Sequence, residues 1–438
     1  MSLQLLARLD RINPARRTGV VRRISPARIE ASGPLAAVGD LCEIVQPQGR
    51  LLAEVAAVEI DRIVLSPLDQ SVAVTPGAIV AALPGDSSAA VGEAFAGRAV
   101  DAMAAPIDEG AAIGACARMP LGGVVPSPLD RVSAQAPLVT GVRTIDALTP
   151  IGRGQRIGIF SASGVGKTTL ITQLAGQIES DRCVLCLVGE RGREVETIWR
   201  TVSSLAVRNR FTCVAATSDQ SAPLRARALH QALALSEYWR ERGEHVLLIV
   251  DSITRYAMAL REMGLAAGAP PTLRAYTPNV FAALPRIVER CGAVRSKGSI
   301  TAIVTVLSET DDVDDPIVEA MKSLLDGHIV LSRTLAEQGV FPAIDPLRSI
   351  SRQSEKLMTP AHAAAARRAV ALLSTYEEAR VMIESGVYKP GSNPRIDEAA
   401  TLRDELLDFL RQPAHEHSAL SDTVAWLLSI ADKSSRHG

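Results

Sequence analysis

The chain has 438 residues, 47% of them apolar and 22% charged, enough to bury cores in two to four domains without disulfide staples. A formal net charge of −1 excludes a global field that would hold nucleic acid or a membrane, leaving only local patches. No apolar run approaches the roughly 18 residues needed to cross a bilayer, and Arg8, Asp10 and Arg11 interrupt any leader-like core at the start, so a cytosolic protein is expected.

In chain order, the first 28 residues carry seven arginines (Arg8, Arg11, Arg16, Arg17, Arg22, Arg23, Arg28) against the single acid Asp10. Leu5, Leu6, Leu9 and Ile12 fall on one helical face. A partner-binding arm and a solvated arm both fit this pattern. From Gly19 to about Pro84, the runs GVVRRI, LLAEVAAVEI, DRIVLS and GAIVAALPG, spaced by Gly, Pro, Asn and Asp, predict a small all-β domain, a barrel rather than a sandwich. From about Gly154 to Ser349, apolar strands (RIGIF, VLCLV, TCVAAT, HVLLIV, SITAIVTVL, GHIVLS) alternate with helical stretches, the pattern of a parallel sheet flanked by helices. From about Thr359 the chain reads as helices. The expected division is an arm and barrel over 1–90, an α/β domain over 91–355 and a helical domain over 356–438.

Cys183 and Cys186 look like a CxxC motif, but on a strand their odd separation puts them on opposite faces, so both read as core thiols. HEH at His415 to His417 has no cysteine or carboxylate cluster beside it and reads as a solvated link.

The chemistry is concentrated in FSASGVGKTTLI, Phe160 to Ile171. A strand precedes this loop and Lys167 opens a helix, where a phosphate-binding loop belongs. Gly164 and Gly166 let the backbone approach an anion, Lys167 reaches the β- and γ-phosphates, and Thr168 holds Mg²⁺. The first glycine of the usual pattern is replaced by Ser161. Asp251 ends the apolar strand HVLLIVD, where a carboxylate would stand beside the metal. Glu190 and Arg191 follow another strand. There a carboxylate can activate water, and it can equally be an acid favoured at a helix start.

The segments PLVTGVRTIDALTPIGRGQRIGIFSASGVGKTTL, GERGREV, ATSDQSAPLRARA, VLLIVDSITRYAMALRE, GSITAIVTVLSETDD, DGHIVLSRTLAEQG and FPAIDPLRSISR follow one another in order. With GRAVDAMAAPID before them and YEEARVMIESGVYKPGSNPRIDEA after, the chain resembles the ATPases of bacterial flagellar and type III secretion export, relatives of the catalytic subunits of rotary ATP synthases. The resemblance implies an N-terminal β-barrel, a RecA-like central domain and a C-terminal helical domain, with ATP and Mg²⁺ as ligands. It implies a nucleotide cradle from Ser163, Gly164, Val165, Gly166, Lys167, Thr168 and Thr169, with Phe341, a tyrosine in most relatives, stacking on adenine. Glu190 matches the residue that activates water, and Arg191 helps order the site. Arg352 matches an arginine that reaches the γ-phosphate of a neighbouring subunit, which implies a homohexamer. Relatives usually carry Ala and Gly where this chain has Ser161 and Ala162, and a positive φ at Ala162 would carry a steric cost.

Partners implied by the resemblance are a stator-like regulator at the N-terminal arm, a central stalk at the Gly/Pro-rich stretch Met263 to Phe281, chaperone–substrate complexes and export-gate membrane proteins. The arm's charge also suits acidic lipid. A plain surface loop stays open for Met263 to Phe281. The expected place is cytoplasmic, peripheral to the inner membrane. The tract LLSTYEEARVMIESGVYKPGSNPRID favours the flagellar system over the injectisome. A rotary synthase subunit and a non-turning scaffold remain as alternatives. An RNA translocase would carry exposed aromatics, and residues 19–84 contain none, so no nucleic acid is expected.

Overall fold

The computed structural model describes residues 18–25, 27–47, 49–69, 73–83, 87–114, 116–134, 136–205, 207–308 and 315–435. The amphipathic arm, with Leu5, Leu6, Leu9, Ile12 and four of its arginines, lies outside the described residues.

Six antiparallel strands close a barrel in the order Thr18–Ser25, Arg28–Ala31, Ile63–Pro67, Gly49–Val58, Leu41–Gln46, Ile79–Ala82. Alternate residues point inward, and Val21, Ile29, Ile44, Leu51, Val55, Leu65 and Val80 fill the interior. Two of these strands, Arg28–Ala31 and Leu41–Gln46, were not among the runs expected from sequence. Their outward positions carry Glu30 and Glu43, which pair across the sheet with Arg62 and Arg50 at 3.0 Å each, so hydrophobicity alone does not mark them. The barrel sits on the central domain through Ser221, whose hydroxyl donates to the Leu68 carbonyl at 2.8 Å.

The central sheet runs Ile350–Ser351, Gly327–Val330, Arg156–Ser161, Ser299–Leu307, His245–Asp251, Arg182–Glu190, Phe211–Thr217, Ala99–Val100. From Gly327–Val330 through Ala99–Val100 the pairings are parallel, and Ile350–Ser351 adds an antiparallel edge. Helices cover both faces, which explains why these strands read as unbroken apolar runs rather than alternating ones. Cys183 and Cys186 are buried in different clusters on the two faces, as the odd spacing requires. Burial pushes the Cys183 thiol up to about 12, so it is an inert core residue.

The helix Ile253–Ala267 and the helix Pro278–Arg290 enclose a shorter connection than the sequence suggested. Met263 to Ala267 form the last turn of the first helix, and Pro278 to Phe281 the first turn of the second, with proline at the position where its missing N–H costs nothing. The chain then ends in Pro360–Glu384, Pro394–Leu410 and Leu420–Ser435, packed around Leu402, Leu406, Phe409, Leu427 and Ile430. The link between the last two helices is solvated at His415 and His417, as expected, but is anchored at two other points. Gln412 is buried, and the Glu416 carboxylate pairs with Arg143.

Behind the sheet lies a buried ion pair. Arg290 donates from Nε to Glu237 at 2.7 Å and from Nη2 at 2.9 Å, both side chains 1% exposed. Beside it His230 stays neutral, its pKa pressed down to about 3 by burial and by the Arg290 charge. Glu237→Ala would strand the guanidinium in the core, an expected loss of about 3–5 kcal/mol in denaturant unfolding.

Candidate nucleotide-binding site

The parallel strands deliver three residues to one crevice at their carboxyl ends. Ser161 ends its strand beside Leu307, Asp251 ends the next but one, and Glu190 ends the one after that. This is where ligands bind in open α/β sheets.

The loop after Ser161 leads into the helix Lys167–Gln177. Gly164 has φ +83 and Gly166 φ +93, conformations that a side chain would strain. No side chain caps this helix and no acid stands in its first turn, so its amide donors and positive end are left for an anion. Val165 is buried in the core beneath the loop and pins it, while Ser163, Gly164 and Thr169 face solvent and Thr168 is half-buried. Ala162 is not among the residues with positive φ, so the steric cost feared for it does not arise. Ser161 lies in extended strand with a buried hydroxyl that has no hydrogen-bond partner.

Lys167 pairs with the Asp251 carboxylate and stands 3.8 Å from that of Glu190. Thr305 donates its hydroxyl to Asp251 Oδ1 at 2.7 Å, fixing that carboxylate from the neighbouring strand. Glu190 is 2% exposed. Burial first, and then the Asp251 charge, raise its pKa to about 7 against the opposing pull of Lys167 and Arg255. Arg255 Nε lies 3.0 Å from Glu190 Oε1, and Nη2 lies 3.4 Å from Oε2. Gly189, at φ +68, leaves room for the Arg255 stem, which a Cβ there would meet at 3.0 Å.

Arg191 sits elsewhere. Its side chain is 82% exposed, 3.9 Å from Glu194, and the arginine that meets Glu190 within the chain is Arg255. The sequence reading passed over Arg255, although it stands four residues past Asp251, in the first turn after that strand. That position puts it near the crevice, but only the fold sets it against Glu190.

Phe341 is 48% exposed, and its ring stands over the start of the phosphate-loop helix. A Cβ on Gly166 would lie 3.7 Å from it. Arg352 follows the edge strand Ile350–Ser351, and its amide donates to the Asp326 carbonyl at 3.0 Å. Asp326 in turn holds the Arg156 amide at 2.9 Å, so Arg352 is level with the beginning of the strand that Ser161 ends. Five residues of strand, about 17 Å, separate those levels. Arg352 is exposed there and donates from Nη2 to the Lys322 carbonyl at 3.0 Å. It does not meet the phosphate loop of its own chain.

Among the described residues no group of three or more His, Cys, Asp or Glu could hold a metal ion. One hydroxyl (Thr168) and one carboxylate (Asp251) at the crevice suit Mg²⁺ instead, which keeps most of its waters and is held through substrate phosphates.

Fold and crevice together define a phosphate-loop nucleotide-binding protein. Residues 141–351 match the ATP synthase alpha/beta family, nucleotide-binding domain, and residues 358–429 match the T3SS EscN ATPase C-terminal domain. The chain is 42% identical over 419 residues to the flagellum-specific ATP synthase of Bacillus subtilis (strain 168), covering 95% of each. It is 41% identical over 419 residues to the type 3 secretion system ATPase of Xanthomonas euvesicatoria, again covering 95% of each. The solved structure of the assembled ATPase EscN from the enteropathogenic E. coli type III secretion system superimposes with a TM-score of 0.90 at 37% identity, over 94% of this chain and 99% of that one. EscN in complex with its central stalk EscO superimposes with a TM-score of 0.85 at 36% identity, over the same shares. The chain belongs to the family of flagellum-specific ATP synthases and type 3 secretion system ATPases.

Proposed function

We propose that this protein hydrolyses ATP at a site completed by a second copy of itself, and that the energy drives protein export through a type III apparatus. The observation that carries the reading is Glu190, buried between Asp251, Lys167 and Arg255 at the foot of a loop shaped for phosphate.

The triphosphate of ATP lies along the amides of Ser163 to Thr169. Lys167 leaves Asp251 for the β- and γ-phosphates, and the freed carboxylate and the Thr168 hydroxyl would hold Mg²⁺. When bound, Mg²⁺ neutralises charge on the β- and γ-phosphates. Phe341 offers a ring face to the base. Glu190, held by Arg255, takes a proton from water as the water oxygen attacks the γ-phosphorus and ADP leaves. Arg352 of a neighbouring copy meets the charge spreading over the transferred group, since it cannot reach its own loop. Arg191, exposed at the start of its helix, is placed to order the site only from outside the crevice.

Glu190 must be ionised to accept that proton, so kcat/KM, which reports the free enzyme, is expected to fall as pH drops through about 7. Arg255 favours the ionised form. Arg255→Ala should therefore move this acid limb to higher pH, besides lowering kcat by roughly 10–100-fold through loss of orientation. A pH–rate profile of the two proteins measures both. A limb that stays in place would remove Arg255 from contact with the base.

The wider assignments are proposals of the same standing. They are a homohexameric ring, a regulator on the N-terminal arm, a stalk against Met263 to Phe281, chaperone–substrate complexes and export-gate proteins as further contacts, and peripheral attachment at the inner membrane. The complex of the relative EscN with its stalk EscO supports the stalk. No helix among the described residues is long and apolar enough to cross a membrane. Between the two export systems we propose the flagellar one, on the tract from Leu372 to Asp397. Loss of motility with intact effector secretion on deletion tests it.

A further inference from the structure

The link after Leu410 exposes His415 and His417 to solvent, but its first part is tied down by a set of buried hydrogen bonds. Gln412 is 3% exposed. Its Oε1 accepts from the Arg143 amide at 2.8 Å, and its Nε2 donates to the Gly141 carbonyl at 2.6 Å and the Glu416 carbonyl at 3.0 Å. Both amide hydrogens and one lone pair are used, so the side chain has a single orientation. Its backbone N–H donates to the Phe341 carbonyl at 2.7 Å.

The groups that hold Gln412 are themselves held. Arg143 donates from Nε to the Phe409 carbonyl at 3.1 Å and lies over the Trp426 ring at 5.1 Å. From the far end of the phosphate-loop helix, Gln177 donates to the Glu416 carbonyl at 2.8 Å. Phe341 has no comparable support for its ring, which is 48% exposed over Gly166. Its neighbours Val340 and Ile344 are buried, and its carbonyl adds a direct tie to Gln412.

We infer that Gln412 is a positioning residue for the nucleotide base: by anchoring its own backbone it sets where Phe341 stands over the start of the phosphate-loop helix. The inference rests on the reading that Phe341 stacks on the base. The phosphate cradle, built from the loop and Lys167, does not depend on Gln412. Affinity for the base should therefore change without affinity for the triphosphate.

The test uses the full chain, with Gln412→Ala, the isosteric Gln412→Glu and Phe341→Ala beside the native protein. KM for ATP, kcat and the inhibition constant of inorganic tripolyphosphate, which has no base, are measured for each. Gln412→Ala should raise KM about tenfold, with kcat changing by less than about twofold, because a buried hydrogen-bond set is lost at a binding element only. Gln412→Glu keeps the acceptor for Arg143 but lacks both donors, so it should raise KM too. Tripolyphosphate should inhibit all four proteins alike. If Phe341→Ala raises KM while both Gln412 variants leave it unchanged, the positioning role is overturned and base stacking stands. If Phe341→Ala leaves KM unchanged, base stacking fails and the inference with it. If tripolyphosphate weakens in step with ATP in the Gln412 variants, Gln412 holds the fold in general and not the base.

Discussion

Glu190→Gln abolishes turnover while ATP still binds. The expected loss in kcat is about 10²–10⁴-fold, the usual contribution of a positioned general base. Gln matches Glu in shape, keeps an acceptor toward Arg255 and takes no proton at neutral pH. Stability moves the other way. A carboxyl whose folded pKa is raised to about 7 favours the fold while neutral, and that contribution is lost as pH rises through 7. A permanently neutral Gln therefore leaves the nucleotide-free protein at least as stable at pH 8, which thermal unfolding checks. Loss of both turnover and ATP binding would mean that Glu190 serves the architecture of the crevice and not the water.

Arg352→Ala is expected to lower kcat by about 10³–10⁵-fold, the range measured for arginines that meet a transferring phosphoryl group. The side chain is exposed and donates to the Lys322 carbonyl, so the isolated chain should fold and bind ATP as before. An effect on stability larger than about 1 kcal/mol, with little effect on kcat, would return Arg352 to the role of an ordinary surface residue. Under the proposed shared site, native specific activity should rise with protein concentration.

Much of this was legible in the chain. HVLLIVD and SITAIVTVL coincide with their strands, because a strand buried on both faces leaves an unbroken apolar run. The phosphate loop was recognisable because glycine at positive φ and a lysine at a helix start leave a local signature. Three things were not legible, each because it depends on contacts far apart in sequence. The barrel strand with Glu30 carries a charge whose partner, Arg62, stands 32 residues on. Arg255 acquires its role only when two parallel strands set it beside Glu190. The anchoring role of Gln412 was hidden because its partners Gly141, Arg143 and Phe341 precede it by 71 residues or more. Nor does identity to known relatives divide the two export systems, since flagellar and type 3 secretion relatives stand at 42% and 41%.

The central claim, that each catalytic site is shared between two copies, is tested most directly by mixing. Glu190→Gln and Arg352→Ala proteins, each inactive alone, are combined at a concentration where the native protein is active, and ATP hydrolysis is followed. A site formed by Glu190 of the Arg352→Ala copy and Arg352 of the Glu190→Gln copy is complete, so the mixture should recover measurable activity. If the mixture forms rings and stays as inactive as its parts, the arginine does not act across the interface, and the shared site is contradicted.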